Sequence, residues 1–120
     1  MTPDRIASSP DTALTVFMLV RATTAWLALT PDERFAFIDA TVRPLLTAHP
    51  AVSLRYFDAE AYNARVSDVM MWQTSVPAAY VAVVEGLRET PFWGTYFEVE
   101  ELIPAIEDGY ARHYGVAPVG

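Results

Sequence analysis

The segment VSLRYFDAEAYNARVSDVMMW, residues 52–72, decides the fold. Its two ends, VSLRYF (52–57) and VSDVMMW (66–72), are apolar-rich and read as strands, and DAEAYNAR (58–65) is a polar connection of hairpin length. Strands joined this closely pair antiparallel, because a parallel pair needs a long crossover.

Upstream of this hairpin lies a helix with a clear start. TPDE (30–33) has the form of a capping box: the Thr30 hydroxyl can accept the Glu33 amide, and the Glu33 carboxylate can reach back to the Thr30 amide. Pro31 takes the first helical position, where its missing N–H costs nothing. Phe35, Ile38, Val42 and Leu45 follow at helical spacing and form a buried stripe. Pro44 should clash with the Ala40 carbonyl, which predicts a kink or an early end, and His49-Pro50 stops the segment. Earlier still, LTVFMLV (14–20) is a strand apolar on both faces, with Arg21 at its end. Residues 1–12 read as a flexible leader and 13–120 as one domain.

Downstream, Thr74, Ser75 and Pro77 open a second helix, Tyr80, Val84 and Leu87 make its stripe, and Pro91 ends it. FEVEELI (97–103) is the fourth strand, and residues 104–114 read as a short terminal helix closed by Gly115. The order βαββαβ is the split βαβ pattern. It predicts an α+β, ferredoxin-like domain with a four-stranded antiparallel sheet and both helices on one face. The other face then has no cover within one chain, yet both sets of alternate residues are apolar, Leu14, Val16, Met18 and Val20 against Phe17 and Leu19, and Leu54 and Tyr56 against Phe57; the sequence does not fix which set is uncovered. Such a face is expected to meet a copy of itself in a homodimer.

Composition narrows the function classes. A chain of 120 residues fits one domain, and a hydrophobic fraction of 52% supplies a core. Fifteen acidic residues against eight basic ones give a net charge of −7 with no basic patch. Nucleic acid and anionic membranes are therefore not expected partners. All eight basic residues are arginine, which a GC-rich genome explains and which would also suit carboxylate recognition. There is no cysteine, so disulfides, thiolate metal sites and cysteine nucleophiles are excluded, in keeping with a cytoplasmic setting. The first residues lack the apolar core of a signal peptide. No Gly-rich phosphate loop or G-x-S-x-G elbow is present.

Arg55 and Asp68 are the candidate catalytic pair. They lie on the two hairpin strands among Leu54, Tyr56, Phe57, Met70 and Trp72. A carboxylate desolvated by aromatics can work as a general acid or base, and an arginine can hold an enolate or anionic oxygen. The bland alternative is a structural ion pair, and the choice depends on a strand register the sequence does not fix. Phe17, Tyr56, Phe57, Trp72, Tyr80 and Trp93 are the candidate ligand-contacting aromatics, although ordinary packing accounts for most such residues. His113, beside Tyr110 and Tyr114, is placed with them as a residue at the mouth of a pocket, as a base or haem ligand. His49 follows a helix end, where the helix dipole favours a cation. Glu98, Glu100 and Glu101 read as a solvated strand edge, and no metal site is expected.

Beyond these features, TVFMLV (15–20), WLALTPDERF (26–35), RPLL (43–46), LRYFDAEAY (54–62), RVSDV (65–69) and LRETPFW (87–93) resemble the darcynin family. The resemblance covers roughly residues 14–114. It implies a small bacterial protein of the dimeric α/β barrel type, which agrees with the order derived above. The wider superfamily includes cofactor-free monooxygenases, cyclases, lactone isomerases and haem-handling enzymes, but no catalytic motif carries over onto this chain. The expected function is that of a cofactor-independent cyclase, isomerase or monooxygenase-like enzyme acting on a hydrophobic small molecule. The alternative is a non-catalytic ligand-binding or accessory protein.

Overall fold

A computed structural model describes residues 13–120; the expected leader, 1–12, lies outside the described residues. Four strands, β1 (Leu14–Ala22), β2 (Val52–Asp58), β3 (Asp68–Thr74) and β4 (Phe97–Ile106), form one antiparallel sheet in the order β2-β3-β1-β4. The helices are α1 (Thr24–Leu27), α2 (Pro31–Ala48), α3 (Pro77–Arg88) and α4 (Gly109–Tyr114). The predicted βαββαβ order is present, with α1 as an unforeseen extra turn.

The capping box forms as its chemistry requires. The Glu33 amide donates to Thr30 Oγ1 at 3.2 Å, and the Thr30 amide donates to Glu33 Oε1 at 2.8 Å. These bonds to Thr30, backbone first and then side chain, favour the charged Glu33 carboxylate and lower its pKa. Of the kink or early end expected at Pro44, the early end does not occur: α2 runs on through Pro44 to Ala48, and His49 caps it through its amide. The second departure is β4. It continues through Pro104 to Ile106, and the terminal helix begins only at Gly109. As an edge strand, β4 tolerates a proline whose missing N–H would break an interior ladder. Gly115 closes α4 in the left-handed region, φ 68°, which suits a residue without Cβ.

Alternation along the strands separates two sheet faces. Val16, Met18, Val20, Val52, Met70, Trp72 and Phe97 are buried and form the core with Val42 of α2 and Val83 and Leu87 of α3. The odd-numbered residues of β1–β3 point the other way. Phe17, Leu19, Val69 and Met71 are only half-buried, and Phe57 and Ile103 are 43% and 40% exposed. A bulge between Leu19 and Val20 shifts the β4 register, so Val99 and Leu102 both fall opposite core residues of β1.

Candidate functional site

A cavity of about 590 Å³ opens between α2 and the β2–β3 half of the sheet. Its helix wall is apolar, made by Phe35, Ile38, Val42 and Leu46, and Leu54 and Met70 face them from the sheet. Ala22, Trp26, Leu27 and Pro31 close one end. The polar groups on its walls are Arg34, Arg43, Tyr56, Asp58, Glu60 and Asp68. This volume falls in the range of small-molecule sites.

The sheet register builds the acidic part. Asp58 and Asp68 are paired residues across β2 and β3, and Tyr56 lies opposite Met70 on the same face. Asp68 is buried at 6% exposure. Ser67 fixes it: Ser67 Oγ donates to Asp68 Oδ2 at 2.7 Å and accepts the Ala22 amide at 2.8 Å. The Tyr56 hydroxyl also hydrogen-bonds Asp68. Burial raises the Asp68 pKa to about 6. The Ser67 bond opposes this, while the hydrogen bond and negative charge of Asp58 reinforce it. Burial first, and then the carboxyl of Asp58 across the strand pair, disfavour the charged form of Asp68 and hold its pKa above the ordinary carboxylate value. The Tyr56 hydroxyl is pushed above its usual pKa by burial first and then by the charge of Asp68, so it remains a donor.

Asp68 and Tyr56 are therefore brought together, but the expected Arg55–Asp68 pair does not form. Arg55 lies opposite Met71, one residue out of phase with Asp68, and so emerges on the other face of the sheet. Its guanidinium sits 5.3 Å from the centroid of the Phe57 ring. Phe17 and Phe57 share that open face, away from the cavity. Trp72 is in the core at 1% exposure, with its indole Nε1 unpartnered, and does not line the cavity. Tyr80 packs on the core from α3, where burial raises its pKa. Trp93 lies under the Arg88 guanidinium at 4.9 Å, and His113 stacks edge-on against Tyr114 on the surface. None of these last four residues reaches the cavity. Among the described residues no cluster of His, Asp or Glu fits a metal ion, and no helix is long and apolar enough to cross a membrane.

Sequence reasoning missed Arg34, Phe35, Asp58 and Trp26 as wall residues. Phe35 and Ile38 were read as part of a buried helix stripe, but Phe35 is 70% exposed, because the stripe there faces the cavity and not a packed wall. Arg34 is placed by the capping box, since its amide donates to the Thr30 carbonyl at 3.0 Å in the first turn of α2.

The comparisons with known proteins agree with this architecture. The family model for darcynin, described as a domain of unknown function, matches residues 2–120, a span that includes the N-terminal segment. A darcynin homolog of Granulibacter bethesdensis is 46% identical over 106 residues, covering 88% of this chain and 86% of that one. A darcynin homolog of Streptomyces avermitilis is 47% identical over 107 residues, with 88% of each chain covered. Among solved structures, chlorite dismutase from Candidatus Nitrospira defluvii in complex with imidazole superposes with a TM-score of 0.69 at 9% identity, over 86% of this chain and 43% of that one. A dimeric chlorite dismutase from Nitrobacter winogradskyi gives 0.62 at 19% identity, over 79% of this chain and 57% of that one. The chain thus spans less than two thirds of either structure, and at such identity the likeness is one of fold. The resemblance read from the sequence and the family match coincide: the chain belongs to the darcynin family.

Proposed function

We propose that the cavity between α2 and the β2–β3 hairpin binds a hydrophobic small molecule, and that Asp68 moves a proton on it. The reaction is of the cyclase or isomerase kind: a proton leaves one substrate atom for the Asp68 carboxylate and returns at another, so no atom is gained or lost. The observation that carries this reading is the carboxyl pair Asp58–Asp68 on the wall of an otherwise apolar cavity. A group that titrates near neutrality can both take and give a proton at working pH. Tyr56 supplies a hydroxyl that orients Asp68 and can polarise a substrate oxygen. The same cavity without turnover would be a ligand-binding protein.

Native mass spectrometry of the protein purified from its source, alongside Ile38→Trp, tests the site. A co-purifying small molecule that is lost in Ile38→Trp, with the melting curve preserved, supports it. The same molecule retained in that variant would place the ligand elsewhere. For the chemistry, Asp68→Asn should cut turnover of an identified substrate by about 10²–10⁴-fold while leaving its binding in place. An unchanged rate leaves the binding reading standing and removes the catalytic one.

We also infer that the open sheet face meets a second copy of the chain. The support is its half-exposed apolar set, Phe17, Leu19, Phe57, Val69, Met71 and Ile103, on a sheet whose helices all the core residues draw to the other side. The Nitrobacter fold neighbour is described as dimeric. Such a dimer would bury this face and leave the cavity free.

A further inference from the structure

The proposed cavity has one cation whose charge the described residues leave uncompensated. Arg43 is the weaker candidate for any ligand contact, because Asp39 already neutralises it across one helical turn and both side chains are well exposed. Arg34 differs. Its Nε donates to the Trp26 carbonyl at 3.2 Å and its Nη2 to the Leu27 carbonyl at 3.0 Å. Those two carbonyls end α1, so they hold the guanidinium plane in place, yet as neutral dipoles they do not cancel its charge. Among the described residues Arg34 has no ion-pair partner. It is half-buried on the cavity wall, and the exposed rings and side chains of Phe35 and Leu27, 70% and 59% exposed, flank it at the rim.

A guanidinium fixed in advance gives up little side-chain freedom when it binds an anion. The acidic groups do not take this role away from it. Asp58 and Asp68 stand on the sheet wall, on β2 and β3, whereas Arg34 is on the helix wall beside the end of α1, so an anionic group pairs with Arg34 on the side away from the carboxyls. Resting on the reading of the cavity as a small-molecule site, we propose that its ligand is an organic acid. An apolar body lies between α2 and the sheet, and a carboxylate pairs with the free edge of the Arg34 guanidinium. This makes Arg34 a specificity-determining residue. Its purely structural alternative is a staple between α1 and α2.

The test uses 2-naphthoate and its uncharged isostere 2-naphthamide on the whole protein. Isothermal titration gives both affinities, and the methyl signal of Met70, which lines the cavity, reports where each compound sits. The expected result is that the wild type binds naphthoate about 10- to 100-fold more tightly than naphthamide, the range for a charge-assisted contact. In Arg34→Gln that preference should vanish while naphthamide affinity stays within about twofold of the wild type. A wild type that binds both compounds equally, or a preference that survives in Arg34→Gln, overturns the proposal while leaving the cavity reading intact, provided the Met70 signal moves. If neither compound moves Met70, the cavity reading itself fails for ligands of this size. Should Arg34→Gln prove too unstable to titrate, Arg34→Lys serves instead. It keeps the charge but not the planar fork, and should retain part of the preference; a full loss of naphthamide binding in Arg34→Lys would overturn the proposal and mark Arg34 as a staple only.

Discussion

Asp58 and Asp68 stand directly opposite each other across β2 and β3, on the cavity side of the sheet, and Asp68 is the buried member. The pairing gives two like charges one place to sit. Burial first, with the like charge of Asp58 adding to it, raises the Asp68 pKa to about 6.

The Asp68 proton has a stability consequence of definite sign. The Asp68 pKa is raised on folding, so the stabilising contribution is complete below the unfolded value near 3.8 and is lost as pH rises through about 6. The melting temperature of the wild type should fall across this window, by the equivalent of about 1–3 kcal/mol. Asp68→Asn carries no such proton and should show a flatter profile. Parallel thermal melts at several pH values decide it; identical slopes would mean that Asp68 titrates normally.

The two neighbours of Asp68 should move its titration in opposite directions. Asp58→Asn removes the like charge and lowers the Asp68 pKa, although burial, the larger cause, keeps it above the ordinary value. Ser67→Ala removes the hydroxyl that donates to Oδ2 and raises it. Carboxyl-carbon NMR titration of the three proteins reads both shifts, and a shift of the same sign in both variants would contradict the geometry.

The open face can be tested by one charge. Leu19 is on that face and Met18 is in the core, paired within the same strand. Leu19→Arg should convert a dimer to a folded monomer at micromolar concentration, as seen by size exclusion with light scattering. Burial of roughly 1.5–3 kcal/mol per side chain is lost, and an unpaired charge enters the interface. Met18→Arg should instead unfold the chain. A wild type that is already monomeric would dispose of the dimer.

Helix α3 crosses α2 closely at Gly86, where an added Cβ would lie 2.5 Å from Leu45 Cδ2. The obstacle is the end of a flexible side chain. Gly86→Ala should therefore be near neutral, the clash offsetting a helix-propensity gain of about 1 kcal/mol. Gly86→Val presents a branched group that Leu45 cannot evade by one rotation, and should cost about 1–3 kcal/mol. Chemical denaturation of both variants checks the contrast.

The elements of this fold were legible because local rules govern them. The capping box at Thr30–Glu33 depends on four consecutive residues, and it forms as read. Hairpin pairing of residues 52–72 follows from loop length alone. The failures lie where a local rule met a global position. Of the kink or early end expected at Pro44, the early end does not occur; Pro104 does not end β4, because an edge strand leaves N–H positions free of a ladder partner.

The site divides along the same line. By itself the sequence determined the element order, the two-faced apolar character of β1, and Asp68 as the carboxylate beside the apolar third strand, of which the structure makes it the first residue. Only the tertiary structure decided which residues share a face. Side chains alternate with period two, so Arg55 and Asp68 belong together in one register and stand on opposite sides of the sheet in the next. The register observed joins Asp68 with Asp58 and Tyr56 and sends Arg55 to the open face. The cavity also belongs to tertiary structure alone, since it is the space left between α2 and the hairpin, and no periodicity in a chain records where two packed surfaces fail to touch.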